Sequence, residues 1–302
     1  MIFSFRHMAM RVVLLSLFTF HFSLSHAQHF VGPVLSGGVV QTIDNVPQAH
    51  TRLSGGGAIG VAYHYQRGHF LLSAGLDYSL QCPALAVDSQ WLAADMIDTR
   101  GMPFIYRGLL ADRSDRLFMH RLTIPLMAGA TWSGVYLLAG LRLSVALAAR
   151  ARVTAALRTA GDYRGRYYEW FEDMPNHGYH DSAPVSSAHS AALRRFDLNL
   201  AAEAGYTIRL NTNAGRRTSP LMRIGLFAEY GLFNLIAGTS AKAVTADWSQ
   251  YLTVTMNHLY TSDKAGNARA NLLTYGIRIT VLFPLSKVPA EQYQCRCLPV
   301  WQ

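Results

Sequence analysis

Apolar and polar residues alternate with a period of two along several stretches of the chain. Between Phe70 and Gln81 the even positions are all apolar or aromatic, whereas most odd positions are small or polar. The same alternation recurs after Val135, after Phe196 and from Leu273 onward. Because successive side chains of a β-strand point to opposite faces, this pattern predicts strands that separate two different environments.

The composition of the two faces indicates what those environments are. The polar face carries Gly, Ser, Thr and a few charges, which suits a narrow interior, and the apolar face is unbroken, which suits lipid. A soluble sandwich also alternates, but its outward face is richly charged. The pattern therefore predicts an all-β fold, an eight-stranded antiparallel up-and-down transmembrane β-barrel, with strands near 30–40, 53–65, 69–81, 117–131, 134–148, 195–210, 220–235 and 271–284.

The links between these predicted strands alternate between short and long. The links at 66–68, 132–133 and 211–219 are short, those at 82–116, 149–194 and 236–270 are long, and 41–52 is intermediate. Outer-membrane barrels have short periplasmic turns and longer external loops. We therefore expect long extracellular loops, with both ends of the barrel on the periplasmic side. Pro125 lacks an N–H group and predicts a bulge or a local break in the fourth strand.

The N-terminal residues have the layout of a secretory signal peptide. Arg6 and Arg11 precede an apolar run, and Ser25-His26-Ala27 places small residues at a cleavage site. A retained anchor is the alternative, but the run is short for a bilayer. The predicted division is a signal peptide at 1–27, a barrel at 28–285 and a periplasmic tail at 286–302, in the cell outer membrane.

Composition agrees with an exported membrane protein. Only 15% of the residues are charged and 50% are hydrophobic, whereas a soluble domain has about 25% charged residues. No segment after residue 27 is an uninterrupted apolar run of membrane-helix length. The sequence pI of about 9.6 does not indicate nucleic-acid binding, because no recognisable nucleic-acid module accompanies it.

Short motifs along the predicted strands resemble the PorT-like outer-membrane β-barrel domains of Bacteroidetes. They are Arg121-Leu122-Thr123-Ile124-Pro125-Leu126, Phe196-Asp197-Leu198, Ala204-Gly205-Tyr206, Tyr230-Gly231-Leu232-Phe233-Asn234, and Tyr275-Gly276-Ile277-Arg278 with Phe283. The resemblance covers most of the chain after residue 27 and implies a barrel. It also allows an accessory role in a protein-secretion or gliding machine, since some relatives have one.

Charged residues at polar-face positions predict a closed interior. Five of them fall at similar heights counted from the short turns, namely Asp77, Arg142, Glu203, Glu229 and Arg278. Charges in a narrow interior are costly unless they are paired. Strand adjacency favours the pairs Arg142–Glu203 and Glu229–Arg278. A gated ion path through the same residues is the alternative.

Six arginines near the predicted outer rim form a candidate site for lipopolysaccharide. They flank the outer ends of the fourth, fifth and sixth predicted strands: Arg116, Arg121, Arg150, Arg152, Arg194 and Arg195. Arginine pairs bidentately with phosphate, and lipopolysaccharide carries phosphates at this level. Ordinary solvated rim charge is the alternative.

Candidates for catalysis and metal binding are weak. Ser186, Ser187, His189 and Ser190 follow Asp181, but no Gly-x-Ser-x-Gly elbow frames them. His177, His180 and His189 could ligate a metal only if they converged, and Cys295-x-Cys297 supplies two ligands, with Cys82 far away. We therefore predict no catalytic residues, no metal and no cofactor.

The sequence favours a non-enzymatic membrane platform that binds lipid, lipopolysaccharide or protein partners through its loops or rim. An accessory subunit of an export machine and a lipid-modifying enzyme are the alternatives. Aromatic residues near the strand ends predict interfacial girdles, namely Tyr63, Tyr65, Phe70, Trp91, Trp132, Tyr206 and Phe283.

Overall fold

The computed structural model describes residues 28–98, 100–163, 170–172, 174, 179–210, 219–238, 242–247 and 253–285. The predicted signal peptide and tail lie outside these residues, and so do His177, Cys295 and Cys297. Within the described ranges, no helix has the length and apolar character needed to cross a membrane.

The described residues are almost entirely β-structure, which confirms the all-β antiparallel prediction. Two 3-10 helices at Leu259–Thr261 and Asp263–Ala265 are the exceptions. The strands are β1 Gln28–Asp44, β2 Ala49–Arg52, β3 Ser54–Arg67, β4 Phe70–Gln81, β5 Ala84–Ile97, β6 Pro103–Trp132, β7 Val135–Asp162, β8 Trp170–Glu172, β9 Ala183–Ser190, β10 Phe196–Arg209, β11 Leu221–Gly231, β12 Val244–Asp247, β13 Thr253–Met256 and β14 Ala270–Pro284.

Eight of these strands pair in a closed antiparallel ring. The order is β1, β3, β4, β6, β7, β10, β11 and β14, and β14 pairs back to β1. Each predicted strand overlaps one ring strand. The short turns at Gly68 and at Ser133-Gly134 have positive φ, as tight hairpins require. They lie at the end of the ring where β1 starts and β14 stops, which we call the short-turn end.

The ring has a polar interior and an apolar outer wall. Along β4, Asp77, Ser79 and Gln81 are buried inside, whereas Leu76, Tyr78 and Leu80 are exposed outside. Most ring strands show the same exposed apolar positions, among them Leu35, Ile59, Val61, Ile124, Leu126, Leu137, Leu141, Leu143, Leu200, Leu226, Ile277 and Ile279. This is the opposite of a soluble domain, whose core is apolar.

Pro125 interrupts the strand ladder as predicted. Strand β4 pairs with β6 in two stretches, one that ends at the pair Ala74–Leu126 and one that begins at the pair Asp77–Thr123. The pairing is absent between these two points, where Pro125 has no N–H group to donate. The same residue still lies opposite Arg142 of β7, so the break is confined to one side.

Two of the predicted long loops form strands instead. Strands β6 and β7 have 30 and 28 residues, so both run well past the ring. Their outer halves pair with each other and with β5, β8 and β9. We call this region the projecting sheet: β5, 103–116 of β6, 149–162 of β7, β8 and β9. Here charged residues occupy both faces, so the alternation of apolar and polar residues that marks the ring strands is lost.

Within the described residues, part of the third long link packs at the end of the ring opposite the short turns, which we call the outer end. Strands β12 and β13 form a hairpin, and residues 257–268, which we call the plug segment, follow it. Leu259, Tyr260 and Ala265 of the plug segment are buried in one apolar cluster. The cluster also contains Val40, Leu85, Val87, Leu117, Met119, Ala151 and Leu272 from the surrounding strands. The described part of this link is therefore packed against the strands and does not form the long external loop that the sequence predicts.

Candidate functional site

The five charged residues predicted for the interior meet inside the ring. Arg142 contacts both Asp77 and Glu229. Arg278 contacts Asp77, and its Nε lies 3.8 Å from Glu203 Oε2. All five side chains are buried or nearly so, so each charge faces an opposite one in the low-dielectric interior.

The partners differ from those that strand adjacency favoured. Arg142 reaches Asp77 on β4 and Glu229 on β11, rather than Glu203 on neighbouring β10. The prediction of Arg142–Glu203 and Glu229–Arg278 as the main pairs is therefore wrong. The ring is narrow, so a long arginine side chain crosses the interior and bonds to strands that are not adjacent.

Further polar groups fill the interior above and below this network. The Tyr136 hydroxyl donates to Glu203 Oε1 at 2.7 Å. Towards the short-turn end, Arg223 Nη1 lies 2.7 Å from His64 Nδ1. The cavity that remains beside Asp77 and Arg142, about 30 Å³, exceeds the roughly 10–15 Å³ that one water molecule requires. Side chains thus occupy most of the ring at mid-height.

Arg121 belongs to the interior and not to the lipid-facing set. Its Nη2 is 2.9 Å from Asp197 Oδ2, and its Nη1 donates to Gln81 Oε1 at 2.9 Å. The side chain is only 5% exposed. Odd positions of β6 point inward between 117 and 131, so Arg121 cannot share the outer face with Arg116. The prediction that Arg121 faces lipopolysaccharide is wrong.

A buried ion pair anchors the plug segment to the wall. Arg113 Nε and Nη2 donate to the two carboxylate oxygens of Asp115 at 2.8 and 2.9 Å, and both side chains are 0% exposed. Asp115 Oδ2 also accepts from the Leu259 backbone N–H at 2.9 Å, and Arg113 Nη2 donates to the Asn257 carbonyl at 2.6 Å. Both members of the ion pair, the arginine as donor and the aspartate as acceptor, therefore bond to the backbone of the plug segment.

Two histidines lie next to this pair. His258 is fully buried and its Nδ1 accepts from the Tyr260 backbone N–H at 3.1 Å. His189 Nε2 lies 3.3 Å from the His258 backbone nitrogen. Burial lowers the pKa of His258 to about 4 and lowers the pKa of His189, although the Asp115 charge opposes both shifts. His258 is therefore neutral at pH 7.

Three of the predicted rim arginines share the outer face of the wall. Arg116 of β6 lies directly opposite Arg152 of β7. Arg150 lies two residues further along β7, opposite Phe118. The sequence did not single out Arg52 of β2, which continues the row through Ala84. These four residues are exposed, and we call them the arginine row.

The two remaining rim arginines lie beside the row. Arg194 and Arg195 are exposed in the link between β9 and β10. The Arg194 guanidinium lies 5.9 Å from the centre of the Phe233 ring. Both residues lie outside the paired strands but next to the outer part of β7, where the Ala146 backbone N–H donates to the Arg195 carbonyl at 2.7 Å. Of the six predicted residues, Arg121 alone is contradicted, and the place of Arg194 and Arg195 in a lipopolysaccharide-facing patch stays a prediction.

The serine and histidine residues considered for catalysis do not form a triad. Ser186 and Ser190 are exposed on one face of β9, and Ser187 and His189 point to the other. Ser187 Oγ accepts from the Met256 backbone N–H at 3.0 Å, and Asp181 pairs with Arg158. Among the described residues, no group of three or more His, Cys, Asp or Glu side chains could hold a metal.

Aromatic residues gather at the short-turn end of the outer wall. Five of the seven predicted girdle residues are exposed there: Tyr63, Phe70, Trp132, Tyr206 and Phe283. Tyr65 is half-buried, and Trp91 lies on β5 of the projecting sheet, far from this end. Trp91 therefore does not belong to this aromatic group, and its place in a girdle stays a prediction. Cys82 is a free thiol at the outer end of β4.

Comparison with known proteins does not assign a family. No family model matches the chain, and no curated protein matches it. A crystal structure of Ail, the attachment invasion locus protein of Yersinia pestis, in complex with the heparin analogue sucrose octasulfate is similar at 7% identity and TM-score 0.26, covering 85% of this chain and 99% of that chain. OpdQ of Pseudomonas aeruginosa is similar at 10% identity and TM-score 0.10, covering 87% and 100%.

Both neighbours are outer-membrane β-barrel proteins. TM-scores below 0.5 are too low for either likeness to bear on the function of this chain. The relation to PorT-like domains stays a prediction from the short motifs.

Proposed function

We propose that the protein is a non-enzymatic outer-membrane β-barrel whose outer end binds partners. The observation that carries this proposal is the inverted polarity of the ring. Charged residues such as Arg142 and Arg278 are buried inside, while large apolar side chains cover the outside. Exposed apolar surface on this scale is unfavourable in water and is what a lipid-facing wall needs.

The height of the apolar wall supports the proposal. On β6 the outward apolar positions run from Leu122 to Trp132, and a tilted transmembrane strand needs about 9–11 residues. The exposed aromatic residues at the short-turn end correspond to an interfacial girdle. In this orientation the short turns face the periplasm and the projecting sheet faces the outside.

The projecting sheet supports the partner-binding part of the proposal. In the described residues, β5 pairs with β2 only at Ala84–Val87, so its Gln90–Ile97 part has β6 on one side alone. Trp91 and Ile97 are 67% and 72% exposed there. A free strand edge with exposed apolar side chains can bind an extended peptide by strand addition.

Epitope tags test the membrane placement. A tag at Gly101, in the turn between β5 and β6, should be stained on intact cells. A tag at Gly68, in a short turn, should be stained only after the outer membrane is permeabilised. Recovery of the protein in the soluble fraction, or the reverse staining pattern, would contradict the proposed barrel and its orientation.

Substitutions at the strand edge test the binding role. A partner that pulls down with the wild-type protein should be lost with Trp91→Lys and Ile97→Lys, because edge lysines block strand addition. Ser186→Lys and Ser190→Lys on the exposed face of β9 are the matched controls and should retain it. Equal recovery from all variants would exclude the β5 edge as the binding surface.

A further inference from the structure

The arginine row is an unusual concentration of like charge. Residues directly opposite on an antiparallel pair point to the same face, and neighbouring strands are about 4.8 Å apart. Arg116 and Arg152 are thus adjacent, Arg52 lies two strands from Arg116, and Arg150 lies about 7 Å along β7 from Arg152. Like charges placed opposite each other destabilise a sheet.

The part of the protein that the structure describes supplies no ion-pair partner to these residues. Among the described residues, no ion pair joins Arg52, Arg116, Arg150 or Arg152 to a carboxylate. Asp115, between Arg116 and Ser114 in sequence, points to the opposite face and is held by Arg113. The row is therefore arranged to bind an external anion with several negative oxygens.

The position of the row indicates where that anion comes from. Leu147, 59% exposed on the outer wall, lies three residues below Arg150 on β7, and Phe118 lies opposite Arg150. The arginines thus begin where the apolar wall ends. Ala84, between Arg52 and Arg116 in the row, is only 4% exposed, as expected when long arginine stems cover it.

We infer that the arginine row binds the phosphate groups of a phosphorylated lipid in the outer leaflet. Acyl chains would contact the apolar wall below, and guanidinium groups would pair with phosphate oxygens above, in the bidentate geometry that arginine favours. The inference rests on the proposed membrane placement and adds to it the chemical class of one ligand.

The experiment uses the full chain refolded into phosphatidylcholine vesicles that contain a small fraction of fluorescent diphosphoryl lipid A. Retention of the labelled lipid by the purified protein is measured for three proteins: wild type, R116Q/R152Q, and R67Q/R209Q. The last is the matched control, since it removes the same charge from exposed arginines at the short-turn end.

The wild type and R67Q/R209Q should retain the lipid equally, and R116Q/R152Q should bind it at least tenfold more weakly, which corresponds to about 1.4 kcal/mol. Equal retention by R116Q/R152Q would overturn the inference. Binding of inorganic pyrophosphate by an inserted wild-type protein that does not retain lipid A would assign the row to a free anion and overturn the lipid source.

Two readouts separate this result from the proposed function. Resistance of the vesicle-embedded protein to added protease reports insertion, and heat-modified electrophoretic mobility reports folding of each variant. A wild-type protein that fails to insert would contradict the barrel proposal itself. An inserted wild-type protein that does not retain lipid A would contradict only the inference about the arginine row.

Discussion

Arg113→Ala should release the plug segment while leaving the ring folded. The substitution removes the partner of Asp115, whose carboxylate is 0% exposed and accepts two guanidinium bonds at 2.8 and 2.9 Å. Breaking a buried ion pair by removing one partner costs about 3–5 kcal/mol. The plug segment also loses the bond from Arg113 to the Asn257 carbonyl.

Amide hydrogen exchange of the plug segment measures this cost. Because about 1.4 kcal/mol is a factor of ten in an equilibrium constant, a loss of about 3–5 kcal/mol raises exchange through local opening by roughly a hundredfold to several thousandfold. Ring amides on β4 and β10 should keep their protection. The measurement is made on the refolded protein in detergent or in vesicles.

Two controls test whether the buried charge is the cause. R113L/D115L removes both charges and should restore much of the protection, since apolar replacement of a buried pair is often neutral. Arg158→Ala breaks an exposed pair with Asp181 and should change exchange little. Wild-type exchange in Arg113→Ala, or a double variant as unprotected as the single one, would refute the reasoning.

Three further predictions concern the plug segment and the interior. Burial lowers the pKa of His258 in the folded protein to about 4, below the value near 6.5 in the unfolded chain, so the unfolded state binds more protons. The stability contributed by neutral His258 is therefore full above about pH 6.5 and falls by up to about 3 kcal/mol as the pH drops towards 4. The plug segment should lose exchange protection over this range, whereas the His258→Asn variant, which keeps a helix-capping acceptor, should keep it. Arg142→Ala removes the ion-pair partner of Glu229 and should lower the free energy of unfolding by about 3–5 kcal/mol in urea titrations. Planar-bilayer recordings of the wild-type protein should show no steady conductance. A reproducible open channel would contradict the closed interior.

The ring strands could be predicted from the sequence because the alternation of apolar and polar residues depends only on neighbouring positions in the chain. Alternation along β4 is enough to place Asp77 inside and Leu76 outside, and the strict sequence of short and long links orders the strands. The partners of Arg142 could not be predicted, because they depend on which strands face each other across the ring. The distance between two side chains across the interior depends on the shape of the closed ring, and the order of neighbouring strands does not determine it.

The projecting sheet and the plug segment could not be predicted for a different reason. Around Arg113 and Asp115 the chain reads Ala111-Asp112-Arg113-Ser114-Asp115-Arg116. Charged residues fall at both odd and even positions, so no apolar face is visible and the pattern predicts a loop in this part of β6. Their partner Leu259 lies 144 residues away from Asp115 in the chain. The signal that could have found them is the Arg-x-Asp spacing itself, which places two opposite charges on one face of a strand.

A bulge in β7 explains how one strand supplies both the interior network and the arginine row. Arg142, Arg150 and Arg152 all have even numbers, yet Arg142 is buried and the other two are exposed. The ladder with β6 shifts between His120–Ala148 and Arg121–Ala146, so Leu147 is an extra residue on β7. One extra residue moves every later side chain to the other face of the sheet. Beyond it, Ala151 and Val153 turn inward to pack against apolar neighbours, and the arginines turn outward to the level at which we place the lipid phosphates.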